Sequence, residues 1–194
     1  FDSADNESGY SMFFYYSGEF GLTEPGNYDF EIYTLDLLKN AGIADYSISY
    51  AYASPGNFIT MSSPSESMDL VIPEYSLINA TGIIITEDNL NINDIDKISI
   101  SREITIDASD MNLQSPIKLR FLNDYSRDFD YRYMQIGKKN IYGSWDIISS
   151  DVSSDYIQAD ISEEGSFALF YIEDFENQVP QDFELLGCYP NPFN

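Results

Sequence analysis

Apolar and polar residues alternate with a period of two along most of this chain, and turn-forming residues interrupt the alternation about every ten positions. This pattern is typical of β-strands that bury one face, and no segment shows a sustained helical period. Three alternating runs precede residue 55, at Met12 to Tyr16, Tyr28 to Ile32 and Tyr46 to Tyr52. Residues 35–42 end in Asn-Ala-Gly and are predicted to be a loop. The pattern predicts an all-β protein.

Nine further short strands are predicted after a segment rich in Ser, Pro and Gly at residues 53–65. They cover residues 68–72, 82–86, 97–100, 103–107, 117–122, 131–136, 144–149, 156–161 and 166–172. Nine short strands fit an antiparallel β-sandwich, in which the inner faces of two sheets pack together. Trp145 is the only tryptophan, and we expect it to be buried between the two sheets.

Four parts are predicted along the chain. Residues 1–55 hold too few strands to close a sandwich, so we expect a truncated domain whose partner strands lie upstream of Phe1. The chain begins without Met, which also indicates an interior part of a longer protein. Residues 66–172 form the sandwich, 173–183 an acidic linker, and 184–194 the start of a different module.

The charge of the chain is strongly negative. Asp and Glu number 33 against 9 Lys and Arg, which gives a net charge of -24, and there is no histidine. Such a charge repels phosphate backbones and anionic lipids, so we expect no nucleic-acid partner. The longest aliphatic run, residues 83–85, is far too short to span a bilayer, so no membrane insertion is expected. The single Cys188 cannot form an internal disulfide.

The sequence offers little for catalysis. Without histidine, Ser-His-Asp and Cys-His arrangements are excluded. Ser115 and Lys118 have the Ser-x-x-Lys spacing of a serine acylase, but they lie on a predicted strand that turns Lys118 to solvent, and the companion motifs are absent. With 33 acidic residues, some carboxylate pair will lie at glycosidase spacing by composition alone. We therefore predict no catalytic residue and no cofactor.

Residues 88–96 alternate oxygen-bearing and apolar side chains, which is one pattern of a calcium loop. The segment has neither Gly at the sixth position nor Glu at the twelfth. Leu90, Ile92 and Ile95 are more typical of anchoring in a strand or turn. We favour a solvated acidic loop and predict no metal ligand, with a weak surface calcium site as the alternative.

Tyrosine is unusually frequent, with 16 residues. Tyr46, Tyr50 and Tyr52 share one predicted face, and the neighbouring runs contribute Tyr10, Tyr16 and Tyr28. A flat aromatic row can stack on sugar rings, whereas the same residues can also fill a contact between sheets or domains. We favour the packing role. An exposed row would favour carbohydrate binding instead.

The end of the chain resembles the opening of the type IX (Por) secretion C-terminal sorting domain, whose usual form is P-x-x-F-x-L-x-x-N-Y-P-N-P-F-N-P. The matching residues are Pro180, Phe183, Leu185, Tyr189, Pro190, Asn191, Pro192, Phe193 and Asn194. Cys188 stands where the family usually has Asn. The two prolines of the motif favour extended backbone. The resemblance implies export from a bacterium by the type IX machinery, and therefore a secreted or cell-surface location.

Two further resemblances concern the modules ahead of that motif. Residues 68–73, 115–121, 143–145 and 165–169 resemble a β-sandwich akin to the one shared by ankyrins and netrin receptors. The segment from Pro25 into residues 36–42 resembles the last strands of a bacterial immunoglobulin-like repeat, although Asn-Ala-Gly replaces the usual Gly-Asn turn. The predicted fold class is therefore an all-β antiparallel sandwich preceded by a partial immunoglobulin-like domain.

These resemblances together imply a non-catalytic structural or spacer module of a secreted bacterial protein. Full-length proteins with this order of domains are often secreted hydrolases, including subtilisin-like peptidases. The expected partners are the secretion machinery and neighbouring domains of the same chain. The alternative is a carbohydrate-binding module that holds polysaccharide on its tyrosine face.

Overall fold

A computed structural model describes residues 22, 24–35, 41–92, 97–124 and 129–172 of the chain. These residues form thirteen β-strands and one 3-10 turn, Tyr131–Tyr133. The strands are β1 Gly26–Leu35, β2 Ala41–Ala53, β3 Ile59–Ser62, β4 Met68–Ile72, β5 Thr81–Asp88, β6 Ile98–Ser99, β7 Glu103–Ala108, β8 Ile117–Leu122, β9 Met134–Lys139, β10 Trp145–Ile147, β11 Asp151–Val152, β12 Tyr156–Ile161 and β13 Gly165–Tyr171. None of the helical structure in the described residues is long and apolar enough to cross a membrane.

The strands form two antiparallel sheets that pack face to face. The larger sheet has eight strands in the order β1-β2-β5-β7-β13-β9-β10, with β6 also paired to β13. The smaller sheet has five strands in the order β11-β12-β8-β4-β3. The predicted all-β antiparallel sandwich is confirmed.

The main core lies between the two sheets and follows from the period-two pattern. On β8, Ile117, Leu119 and Phe121 are fully buried, while the residues between them are partly exposed. The facing sheet contributes alternate residues of β5, β7 and β13, which are Ile83, Ile85, Ile104, Ile106, Phe167 and Leu169. Burial of each such side chain contributes roughly 1.5 to 3 kcal/mol, so this alternating set stabilises the packing of the two sheets.

Most predicted strands are observed close to their predicted positions. Three match to the residue, namely β4, β8 and β12. The strand predicted at 131–136 begins instead as the 3-10 turn, where the Asp130 side chain accepts a hydrogen bond from the backbone N–H of Arg132. The short strands β3 and β11 were not predicted, because each has little pattern of its own and is held by pairing with β4 or β12.

The first hairpin, β1 and β2, belongs to the eight-stranded sheet. Strand β2 pairs with β5 from Ile48 opposite Thr86 to Ala53 opposite Thr81. Ala51 and Ala53 are part of the main core. Strands β1 and β2, from the part predicted as a truncated domain, therefore share one sheet with strands of the part predicted as the sandwich. The run predicted around Met12 and most of the loop predicted at 35–42 lie outside the described residues.

A second, smaller core lies on the outer face of the eight-stranded sheet. Because Phe167 and Leu169 face the other sheet, the alternating Ala168 and Phe170 face outward. Trp145 is 8% exposed and packs edge-on against Phe170, with 5.2 Å between ring centroids. The prediction that Trp145 lies between the sheets is therefore wrong. It is buried, but on the opposite side of the larger sheet.

The segment after β5 covers this outer core. Leu90 and Ile92 pack against the Trp145 cluster, and the backbone N–H of Ser99 donates to the Ile92 carbonyl at 2.8 Å. The Ser99 hydroxyl accepts from the Ile92 N–H, also at 2.8 Å. Leu90 and Ile92 thus have the anchoring role expected from the sequence.

Candidate functional site

An aromatic surface lies on the outer side of the first hairpin. Residues directly opposite in an antiparallel pair point to the same face, and in the hairpin Tyr28 lies opposite Ile48 and Phe30 opposite Tyr46. Since Ala51 and Ala53 face the main core, the alternating positions of β2 face outward. We call this surface the aromatic face. It comprises Tyr28, Phe30, Ile32, Tyr46, Ile48, Tyr50, Tyr52 and Ile84.

The aromatic face is partly open to solvent. Tyr52 is 58% exposed and Tyr46 is 39% exposed. Ile48 lies between them in the strand and is buried. A strand rises about 3.3 Å per residue, so the tyrosines of β2 extend along roughly 20 Å. This is the row that the sequence placed on one face, and it lies outside the main core.

Gly82 of β5 allows one of these rings to lie close to the sheet. A Cβ atom at Gly82 would lie 3.2 Å from Cε2 of Tyr50 and 3.4 Å from its hydroxyl oxygen. Because that space is empty, the Tyr50 ring rests against the backbone of the neighbouring strand.

The opposite side of the hairpin is polar. Ser47 donates to Asp29 at 2.6 Å, and Ser49 donates to Asn27 at 2.7 Å. The hairpin therefore carries hydrogen-bonded polar pairs on one side and the aromatic residues on the other, and Asn27 and Asp29 of the polar side are exposed.

A polar pocket of about 330 Å³ lies beside residues 45–47 of β2 and the end of β5. Four separate segments line it, with Asp45, Tyr46 and Ser47 from β2, Pro64 and Ser65 from the turn between β3 and β4, Glu87, Asp88 and Asn89 from the end of β5, and Arg102. Tyr46 belongs both to this pocket and to the aromatic face. The polar pocket was not predicted, since no local motif links four segments so distant in sequence.

Glu87 is the most constrained side chain of the polar pocket. Its side chain is 3% exposed. The backbone N–H and the hydroxyl of Ser65 both donate to Oε1, at 3.1 and 2.7 Å, and Nη1 of Arg102 lies 3.6 Å from Oε2. These contacts fasten the turn between β3 and β4 to the end of β5. They also hold a carboxylate oxygen and a guanidinium in fixed positions at the pocket.

The segment predicted as an acidic loop or calcium site is described only up to Ile92 and from Lys97 onward. Asp88 and Asn89 line the polar pocket, while Leu90 and Ile92 pack against the Trp145 cluster on the outer face of the larger sheet. Within the described ranges, no group of three or more Asp, Glu or Cys side chains is placed to hold a metal ion.

The Ser-x-x-Lys pair does not form a reactive arrangement. The Ser115 hydroxyl donates to Ser76 at 3.1 Å. Lys118 forms an ion pair with Asp160 across strands β8 and β12, at 3.0 Å. Each side chain thus has its own partner, and neither contact links the two. Lys118 lies on the outward face of β8, as predicted.

The shifted pKa values belong to neither the aromatic face nor the polar pocket. A hydrogen bond from Lys138 lowers the pKa of the Glu163 carboxyl. Hydrogen bonds from the side chain and backbone of Arg132 lower the pKa of Asp130. Both carboxylates are exposed, so these shifts describe local ion pairs at the surface.

The predicted sorting motif, Pro180 to Asn194, and the linker ahead of it lie outside the described residues. No known family model matches this chain, and no curated protein sequence matches it.

Proposed function

We propose that this chain is a non-catalytic β-sandwich module of a secreted or cell-surface bacterial protein, exported through a type IX sorting signal. The motif from Pro180 to Asn194 is the observation that carries this proposal, because it combines aromatic, leucine and proline positions at the family's spacing. The β-sandwich would hold neighbouring domains of the same protein apart and present them to the surroundings. The full-length protein would be, for example, a secreted hydrolase such as a subtilisin-like peptidase.

The export proposal is tested in a bacterium that has type IX secretion, with the protein expressed from its own gene. Replacing the motif's Phe193 by Asp is expected to leave most of the protein in the periplasm. Phe58→Asp provides a matched control, because Phe58 is exposed and lies outside the motif. Cell fractions are compared by immunoblot. Equal export of the Phe193→Asp variant and the wild type would contradict the proposal.

A second function is favoured by the exposed aromatic face, namely carbohydrate binding. Tyrosine rings offer a flat apolar surface for a sugar ring and a hydroxyl at the edge. The row on β2 is exposed at Tyr46 and Tyr52, with Tyr50 resting on the sheet between them. The acidic chain would repel anionic polymers, so the row suits a neutral polysaccharide.

Gel electrophoresis through soluble polysaccharide measures this binding as retardation. Laminarin, xylan and galactomannan serve as neutral probes. Tyr46→Ala and Tyr52→Ala are each expected to weaken binding by about three- to tenfold, the effect of one lost ring contact. Tyr142→Ala is the control, because Tyr142 is exposed in the turn between β9 and β10. Migration of the wild type unchanged by every probe would reject carbohydrate binding.

A further inference from the structure

Five connections between strands meet at one end of the sandwich. Strand β2 ends at Ala53, opposite Thr81 at the start of β5, and β13 begins near the end of β7. The connections at this end are residues 54–58, 73–80, 109–116, 140–144 and 162–164. Outside the first hairpin, the exposed large hydrophobic side chains of the described residues all lie in these connections, and they are Phe58, Tyr75, Ile78, Ile141 and Tyr142. We call this surface the apolar end.

The connections beside the smaller sheet are fastened to one another. Cε1 of Tyr75 lies 3.5 Å from the position that a Cβ would take at Gly56, so the ring rests on the neighbouring turn. The backbone N–H of Ile78 donates to the Asn112 carbonyl at 2.9 Å. Tyr75 also has a φ of 63°, in the left-handed region that bulky residues rarely adopt. The turn thus holds an exposed ring in place against the backbone preference of tyrosine.

The turn between β9 and β10 presents two more apolar side chains on a fixed backbone. Ile141 is 92% exposed and Tyr142 is 86% exposed. Oδ1 of Asn140 accepts hydrogen bonds from two backbone N–H groups of this turn, at 3.0 and 3.1 Å. Lys138, just before the turn, forms an ion pair with Glu163 of the connection between β12 and β13. The exposed side chains therefore stand on a rigid support.

We propose that the apolar end is the surface on which the preceding domain of the same polypeptide docks. This inference rests on the proposed role of the chain as a module between neighbouring domains. Strand β1 begins at Gly26, opposite Tyr50 and near the end of β2, so the polypeptide reaches β1 from the apolar end. It leaves β13 after Tyr171, which lies opposite Met134 at the start of β9. The two ends of the sandwich thus face opposite directions along the polypeptide.

The limited size of the apolar end favours a partner on the same chain. Its five exposed hydrophobic side chains are spread over separate turns and lie among polar residues. Contacts between domains of one chain are of this mixed kind. A free partner would have to offset the loss of translational and rotational freedom on association. A tethered domain is present at a high effective concentration, so a small contact is enough to hold it.

The acidic residues around the apolar end oppose a second copy of this chain as the partner. Four exposed carboxylates lie in the same connections, those of Glu74, Asp110, Glu163 and Glu164. Two copies joined end to end would bring these carboxylates together, and each copy has a net charge of -24. We therefore expect the preceding domain to present an apolar surface with a neutral or basic rim.

Hydroxyl-radical labelling followed by mass spectrometry tests this docking, because the labelling rate reports how far solvent reaches each ring. The chain of residues 1–194 is compared with the protein expressed from its own gene. We expect Tyr75 and Tyr142 to be labelled at least about threefold more slowly in the latter, because side chains at the centre of an interface are buried. Tyr46 is the matched control, because it is exposed and lies level with the far end of β5. Its labelling rate should be equal in the two proteins.

A double variant separates docking from other causes of protection. Tyr75→Asp with Ile78→Asp places two charges in the contact, and should return Tyr142 to the labelling rate of the chain alone. Ile43→Asp is the control substitution, because Ile43 is exposed near the start of β2, away from the apolar end. Thermal melts establish that each variant is folded. Export should not change in any of them, since the chain leaves toward the sorting motif at the other end.

Each outcome decides between occupants of the apolar end. Equal labelling of Tyr75 in the two proteins, or protection of Tyr142 that persists in the double variant, would overturn the docking. Protection of Tyr46 instead of Tyr75 would assign the preceding domain to the aromatic face. Labelling of the chain alone that slows as its concentration rises would identify a second copy as the partner. Export that does not depend on Phe193 would reject the proposed function itself, whatever the labelling.

Discussion

Replacing Trp145 by alanine is expected to lower the free energy of unfolding by about 3 to 5 kcal/mol. The ring is almost fully buried against Phe170, and Leu90 and Ile92 cover the same cluster. Its removal would leave a cavity that the sheet cannot close, because Phe170 and Ala168 are fixed by pairing of β13 with β9. Urea unfolding followed by circular dichroism measures the change.

Tyr142→Ala is the control for Trp145→Ala, because it removes an exposed aromatic ring near the same hairpin. That variant should unfold within about 0.5 kcal/mol of the wild type. A loss below about 1 kcal/mol for Trp145→Ala would mean that the outer core contributes little to stability.

The fluorescence of the wild type adds a second measurement of the burial of Trp145, since Trp145 is the only tryptophan. Its emission should shift to longer wavelength in the Leu90→Ser variant, because water then reaches the Trp145 ring.

Gly137→Val is expected to cost about 3 kcal/mol through overpacking. A Cβ at Gly137 would lie 2.6 Å from Cε2 of Phe170 and 3.4 Å from Cε3 of Trp145. The Phe170 ring occupies the space that any larger side chain at Gly137 needs, so the ring or the strand must move. Urea unfolding gives the loss.

A double-mutant cycle with Phe170→Ala separates this clash from a general effect of replacing glycine in a strand. Once Phe170 is truncated, Gly137→Val should destabilise less than it does in the wild type, because the space occupied by the ring is then free. Equal losses in the two backgrounds would show that contact with the Phe170 ring is not the cause.

The period-two pattern predicted which residues form strands more reliably than which side each strand exposes. Strand β8 was predicted to the residue, because its apolar and polar positions alternate strictly. Strand β13 is apolar on both faces, so the pattern could not assign Phe170 to one side. In β10, alternation puts Trp145 and Ile147 on one face but does not say which face of the sheet that is, so Trp145 was placed on the wrong one.

The candidate sites were predictable to a similar extent. Alternation placed Tyr46, Tyr50 and Tyr52 on one face, but only the pairing of β2 with β5 determines that this face points outward. The polar pocket could not be predicted, because Arg102 and Asp45 are far apart in sequence. They line the same pocket only once three strands and a turn have assembled. Strand β3 escaped prediction within a segment whose Ser and Pro residues indicated a boundary.

The position of β13 has a consequence for the order of folding. This strand is the last in the described chain, yet it lies between β7 and β9 near the middle of the eight-stranded sheet and contributes to both cores. During synthesis from the N-terminus, β7 and β9 therefore have no strand between them until residue 171 has been made. Contacts between such distant parts of a sequence slow folding. These residues of the nascent chain should accordingly remain sensitive to protease until β13 is available, and then fold in one cooperative step.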